Sequence, residues 1–123
     1  MSKILISIKP EYVDKIFAGT KKFEYRKTRC NSDVDTMIIY STCPEKCVVG
    51  EVKILEIIED TPDAVWKQTK ANSGITKSFF DSYYKGKDRA IAYKLGEIKK
   101  YKKPMILNDF GITYAPQSFV YIK

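Results

Sequence analysis

The 123-residue chain contains no histidine and only three cysteines, and these shortages exclude several kinds of protein. A structural zinc site needs four ligands, whereas the pair in CPEKC, Cys43 and Cys47, has only Cys30 as a further thiol. An odd number of cysteines without a secretory leader also disfavours a disulfide framework. We therefore expect free thiols, no metal or other cofactor, and a cytoplasmic protein.

Long apolar runs are also missing. No stretch reaches the ~18 apolar residues of a membrane-spanning helix, and the apolar part of MSKILISIK is too short for a secretory signal. There is no internal repeat, low-complexity segment or linker. With 44% hydrophobic residues, the sequence predicts one packed domain, residues 1–123, without membrane association, and leaves its oligomeric state open.

Positive charge is in excess. Lys and Arg outnumber Asp and Glu by 22 to 15, which gives a formal net charge of +7 and favours a polyanionic partner such as nucleic acid. The alternative is that the charge only keeps a small domain soluble. The densest basic run, KLGEIKKYKKP, provides a candidate nucleic-acid surface or else a solvated strand end; its lysines are Lys94, Lys99, Lys100, Lys102 and Lys103.

Alternating and helical spacings of apolar residues predict the order of the elements. Strands are expected over 3–9, 21–28, 36–43, 47–60, 89–104 and 117–123, and helices over 10–19, 61–69 and 76–87. Gly50 and Gly96 interrupt the two longest strands, where they predict bulges or close approaches. Helices after the first and fourth strands favour a small mixed β-barrel over a doubly wound sheet. We predict an α+β fold of five or six strands with two or three short helices.

The stretch SIKPEYVDKIFAGTKKFEYRK resembles the opening of the ASCH domain, a branch of the PUA-like β-barrel superfamily. The resemblance depends on the IKPEY start, on the GxKxxExR string formed by Gly19, Lys21, Glu24 and Arg26, and on the later YYKGKDRAIAYKLGEIKKYKKP and PQSF. It covers most of the chain. It implies a PUA-like barrel with a charged cleft between the first helix and the sheet, and an RNA-related role.

Within that family, activities differ. Members are known that bind RNA or a modified nucleobase, that hydrolyse acylated cytidine, or that act as ribonucleases. In the amidohydrolase-type members, a Thr that is their proposed nucleophile stands at the position of Glu24, beside the Lys that matches Lys21. This chain departs from that pattern.

The charged residues of the second strand have two interpretations. Glu24 and Arg26 share one face, opposite Phe23 and Tyr25, so they either protect an exposed sheet edge or form the floor of a site. In a site, Arg26 or Lys21 would meet a phosphate or carbonyl oxygen, and Glu24 would orient Arg26 or accept from an exocyclic amine. In an enzyme, Lys21 and Glu24 would be the catalytic acid–base pair, which requires burial and nearby cations to lower the pKa of Lys21.

Further candidate ligand residues are Lys9, Ser41, Tyr84, Gln117 and Ser118. Lys9 precedes the first helix, Ser41 ends the third strand, and Tyr84 either packs in the core or stacks on a base. The resemblance implies that Gln117 and Ser118, in APQSF, border the cleft. We predict an RNA- or nucleotide-binding domain; the alternatives are a small hydrolase of a modified nucleoside, a ribonuclease, or a regulatory protein-binding domain.

Overall fold

The computed structural model describes residues 2–122. Its strands are β1 (Ser2–Ile8), β2 (Phe23–Arg26), β3 (Val34–Ser41), β4 (Cys47–Asp60), β5 (Ala90–Met105) and β6 (Phe119–Ile122). Its helices are α1 (Pro10–Ala18), α2 (Pro62–Thr69) and α3 (Lys77–Tyr83), with short 3-10 turns at Lys70–Asn72 and Leu107–Phe110. In residues 2–122, no helix has the length and apolar character needed to cross a bilayer.

The six strands form one sheet, ordered β2-β5-β4-β3-β1-β6, that curls into a half-barrel. β1 and β3 run parallel, and every other pair is antiparallel. The predicted α+β fold, a small mixed barrel of five or six strands with two or three short helices, is therefore confirmed, with six strands in a half-barrel and three α-helices. β2 is shorter than predicted, and the 3-10 turn at Leu107–Phe110 was not predicted because a single turn has no periodicity to detect.

Helix α1 fills the concave side of the sheet. Pro10 occupies the first turn, where a missing N–H costs nothing. Gly19 ends the helix at φ 83°, a backbone conformation that residues other than glycine rarely adopt. Val13 and Ile16 are buried on the inner face of the sheet, beside Tyr93. The inner core therefore depends on one short helix that connects β1 to β2.

The outer face of the sheet is covered in two parts. Over β1 and β3, the segment around Leu107–Phe110 packs on Leu5 and Ile38. Over β2 and β5, helices α2 and α3 pack on Phe23 and Tyr25. Because successive strand residues point to opposite faces, Glu24 and Arg26 are turned toward the inside of the half-barrel. Their cross-strand partners Tyr93 and Ile91 belong to the inner core.

The two strand glycines have the predicted roles. Gly96 and Glu97 lie in β5 opposite the single residue Lys53 of β4, since Leu95 pairs with Ile54 and Ile98 with Val52, so a bulge occurs there. At Gly50, a Cβ atom would lie 2.6 Å from the Lys99 carbonyl oxygen and 2.9 Å from Cζ of Phe17. Gly50 therefore permits β5 and α1 to approach β4 closely.

We expect Gly50→Ala to lower the free energy of unfolding by about 1–3 kcal/mol, because the backbone of β5 and the ring of Phe17 must both move. Urea denaturation measures the change. Gly96→Ala is the matched control: the three atoms nearest to its Cβ would all belong to the side chain of Leu55, a residue that is 62% exposed and can turn away. Equal losses for both variants would contradict the close approach at Gly50.

Candidate functional site

A cavity of about 650 Å³ opens between α1, the end of β1, β2, α3 and the loop before β6. Its volume lies within the range of about 300–1,000 Å³ that is common for small-molecule sites. Its charged wall residues are Lys9, Lys21, Glu24 and Arg26, and its aromatic wall residues are Tyr12, Tyr25, Phe79 and Tyr83. The cavity therefore combines fixed charge with planar apolar surface.

Glu24 and Arg26 form a tight ion pair at the base of this cavity. Nε and Nη2 of Arg26 donate to Oε2 of Glu24 at 2.9 and 2.8 Å, and Nη2 also donates to the Ser7 carbonyl oxygen at 2.7 Å. The Glu24 side chain is 8% exposed and that of Arg26 is 13% exposed. The pair is therefore inside the half-barrel, although β2 is the edge strand of the sheet.

Lys21 lies beside the Glu24–Arg26 pair and is covered by the backbone of Ser73 and Gly74. Its Nζ donates to the Ser73 carbonyl oxygen at 2.9 Å and lies 3.9 Å from Oε1 of Glu24. The backbone of Gly74 lies against its stem, since a Cβ there would be 2.5 Å from Cβ of Lys21. Burial lowers the pKa of Lys21 to about 8, with Glu24 opposing the change and Arg26 adding to it.

Aromatic rings surround the Lys21 ammonium and continue to the cavity mouth. Its Nζ lies 4.9 Å from the ring centre of Tyr25 and 5.5 Å from that of Tyr12. Burial raises the pKa of Tyr25 to about 12 and also raises the pKa values of Tyr12 and Tyr83. These phenols are neutral hydrogen-bond groups near pH 7, so the charge of the cavity comes from its lysines, Arg26 and Glu24.

The structure brings five of the predicted ligand residues to one cavity: Lys9, Lys21, Glu24, Arg26 and Gln117. Lys9 and Gln117 are exposed at its rim. Ser118 lies just outside the wall, where its carbonyl oxygen accepts from the N–H of Ser7 at 3.0 Å. The predicted cleft residues of the GxKxxExR string thus converge, and their roles toward a ligand stay predictions.

Two predicted ligand residues lie elsewhere. Ser41 is 2% exposed and outside the wall, to which its neighbour Thr42 contributes instead. Tyr84 is 3% exposed and packs on Phe80, while its hydroxyl donates to the Arg26 carbonyl oxygen at 2.9 Å. Tyr84 is therefore a core residue that supports β2, and it has no ring face available for a base.

The five lysines of the predicted basic surface are exposed but do not share one face. Lys94 lies opposite Phe23 on the outer face of the sheet. Lys100 is on the inner side, with its Nζ 5.7 Å from the ring centre of Phe17, whereas neighbouring Tyr101 donates to Glu51. None of the five lines the cavity. The bulge at Gly96 and the alternation of side chains along β5 therefore distribute these lysines between the two faces of the sheet.

Sequence reasoning missed several wall residues, notably Phe79 and Tyr83. Of the four aromatics in FFDSYY, only Tyr84 was considered as a ligand residue, and the structure buries Phe80 and Tyr84 alone. FFDSYY contains two stripes one residue apart, which point about 100° apart on a helix, so one short helix cannot bury both against a sheet. That offset was the available signal. No signal identified Ser73 and Gly74, because their role depends on backbone.

Comparison with known proteins identifies the class. The ASCH domain model matches residues 6–105, so the chain belongs to the ASCH domain family, as its motifs suggested. The chain is 26% identical over 124 residues to the ASCH domain-containing ribonuclease of Zymomonas mobilis, covering 97% of this chain and 83% of that protein. The crystal structure of ASCH from Zymomonas mobilis superposes with a TM-score of 0.89 at 22% identity, over 98% of this chain and 87% of that one.

A second relative is much longer than this chain. Large ribosomal subunit protein uL22 of Ureaplasma parvum is 32% identical over 122 residues, which are 98% of this chain and 39% of that protein. The chain thus spans about two fifths of that relative. The similarity to uL22 therefore concerns only the matched 39% of that longer protein.

We expect the buried lysine to make the stability depend on pH. The usual lysine pKa is 10.5 and that of folded Lys21 is about 8, so between these values the unfolded chain binds more protons. The free energy of unfolding should therefore rise with pH over this window, by up to roughly 3 kcal/mol from this residue. Urea denaturation from pH 7 to pH 10, compared with Lys21→Met, isolates the effect. Parallel pH profiles for the two proteins would show that Lys21 is not desolvated.

Proposed function

We propose that this protein binds RNA, or a nucleotide from it, with one nucleotide in the cavity that Lys21, Glu24 and Arg26 line. The observation that carries the proposal is the fixed Arg26–Glu24 pair inside an aromatic-walled cavity. Both bonds from Arg26 go to Oε2, so Oε1 of Glu24 has no hydrogen bond from the described residues. An ordered carboxylate oxygen beside a cation distinguishes base edges by their donors and acceptors.

The groups around this pair fit the parts of a nucleotide. Oε1 of Glu24 accepts from an exocyclic amine, and the Lys21 ammonium, 3.9 Å away, donates to a ring nitrogen or carbonyl oxygen next to it. The half-buried ring of Tyr12 in the cavity wall offers planar surface to the base. Exposed Lys9 at the rim attracts the phosphate.

Charge and family membership support the same proposal. The net charge of +7 favours a polyanion, and a relative that this chain covers to 83% of its length is named a ribonuclease. The exposed lysines of β5, including Lys99, Lys102 and Lys103, would attract the RNA backbone without reading its sequence. Because they lie off the cavity and on different faces, we expect their contribution to be nonspecific.

Fluorescence polarisation with labelled single-stranded RNA at two salt concentrations tests the binding. We expect Arg26→Ala to weaken binding about tenfold or more, since it removes the fork that holds Glu24 and faces the ligand. Arg29→Ala is the matched control, because Arg29 pairs with Glu59 at 3.1 Å outside the cavity. Lys100→Ala should weaken all RNAs evenly and lower the salt slope by about one.

Thermal melting of each variant separates a lost contact from a lost fold. Arg26→Lys adds a second comparison, because it keeps the charge but not the fork. If Arg26→Ala and Arg29→Ala weaken binding equally in folded proteins, the ligand is attracted by net charge and the cavity is not its site.

RNA cleavage is the second candidate function, favoured by Lys21. Near pH 7 an ammonium with a pKa of about 8 is mostly protonated yet gives up its proton readily, as a general acid must. In cleavage, Glu24 would accept the 2′-hydroxyl proton while that oxygen bonds to phosphorus. As the bond from phosphorus to the 5′-oxygen breaks, Lys21 would protonate the leaving oxygen. The products are a 2′,3′-cyclic phosphate and a 5′-hydroxyl.

We expect Glu24→Gln to reduce cleavage about 100-fold or more while RNA binding persists, because the amide cannot accept the proton. Cleavage by the unmodified protein should fall as the pH rises above about 8, where Lys21 loses its proton. Gel electrophoresis of labelled RNA measures the rate, and a 2′-deoxy strand should stay intact. Glu59→Gln, which disrupts the Arg29 pair outside the cavity, is the control. Undiminished cleavage in Glu24→Gln would remove this assignment.

A further inference from the structure

Helix α3 exposes a phenylalanine beside the cavity. Phe79 is 41% exposed, whereas its neighbour Phe80 is 1% exposed in the core. Tyr83, one turn later, is half-buried, and both Phe79 and Tyr83 belong to the cavity wall. An exposed phenylalanine that is continuous with a charged cavity is a candidate binding surface.

The ring geometry extends the aromatic surface outward from the cavity. The Phe79 and Tyr83 rings are 6.3 Å apart between centres and only 12° from parallel. The Tyr12 ring lies 5.9 Å from that of Phe79 and also 5.5 Å from Nζ of Lys21. These three residues, Tyr12, Phe79 and Tyr83, form an aromatic strip that begins at the buried charges and continues onto the surface.

Cations flank both ends of the aromatic strip. Nζ of Lys15 lies 5.9 Å from the ring centre of Tyr12, and Nζ of Lys27 lies 4.5 Å from that of Tyr83. The acidic Asp81 of the same helix is neutralised by Lys77 at 2.8 Å. Planar apolar surface between cations fits a ligand with flat rings and negative linkers.

We infer that the outer part of the aromatic strip, Phe79 and Tyr83, stacks the base of a second nucleotide, adjacent in a single-stranded RNA to the nucleotide that occupies the cavity. This inference rests on the proposed function and refines its ligand, which becomes an oligonucleotide of two or more residues. Lys27, over Tyr83, is placed to meet a phosphate beyond the second base. Stacking accepts every base because each has a π-face, so this position provides affinity and little sequence preference.

Competition binding with a nucleoside monophosphate, a dinucleotide and a short single-stranded RNA tests the inference. Phe79→Ala should weaken the dinucleotide and the RNA about tenfold and weaken the monophosphate much less, because only the longer ligands place a base on the exposed ring. Phe79→Tyr, which keeps a ring, should bind as the unmodified protein does. Tyr121→Ala is the matched control, since Tyr121 is 46% exposed on β6 and outside the cavity wall.

An RNA that lacks the second base gives the sharper comparison. The unmodified protein should lose about tenfold on removal of that base, and Phe79→Ala should lose nothing further, because the two changes delete the same contact. Additive losses, or an equal loss for the monophosphate, would overturn the inference. If Phe79→Ala binds RNA normally while Arg26→Ala does not, the aromatic strip does not contact the RNA, and only the proposed binding in the cavity is supported. No binding by the unmodified protein refutes both.

Discussion

The cavity end of the half-barrel depends on the guanidinium of Arg26, which joins two strands that do not pair. β2 and β1 are not neighbours in the sheet, yet Arg26 holds Glu24 on its own strand and the Ser7 carbonyl oxygen on β1. Burying such charges is expensive, and it is tolerated only when the geometry is good and the remaining donors are satisfied. Removing either partner would leave a buried charge unpaired, which generally costs more than the pair contributes.

Closure by side chains, in place of a backbone ladder, is what leaves room for a cavity. The edge strands β2 and β6 do not pair with each other, and the cavity lies where the Arg26 bridge connects β2 to the end of β1. The same enclosure removes water from Lys21 and so lowers its pKa. The closure of the fold and the lowered pKa of Lys21 therefore share one cause, and the burial of this lysine also reduces the stability at neutral pH.

Much of this arrangement could be predicted from the residues. The alternation in FEYR separated Glu24 and Arg26 from Phe23 and Tyr25, and the family motif placed the charges by a cleft. Sequence could not decide whether an edge strand turns its charged face to water or inward, because that depends on the curl of the sheet and on α1. Tyr84 packs in the core, which is one of the two alternatives that the sequence left open, because helical spacing gives its stripe but not the direction that the stripe faces. Ser73 and Gly74 cover Lys21 through a carbonyl oxygen and through the absence of a Cβ, and no residue pattern reveals either.

The two aromatic stripes at α3 have different surroundings, since one is buried in the core and the other lines the cavity. Phe80 and Tyr84 anchor the helix to the sheet, and the Tyr84 hydroxyl fixes the backbone of β2 at Arg26. Phe79 and Tyr83, one residue out of step, line the cavity. Tyr83 also packs against the core around Phe80 and Tyr84, whereas Phe79 is exposed. Exposed Phe79 can therefore change with little effect on the core, so the lining of the cavity mouth can vary while the half-barrel stays the same. The ligand of an ASCH domain must therefore be established from the residues that line its own cavity.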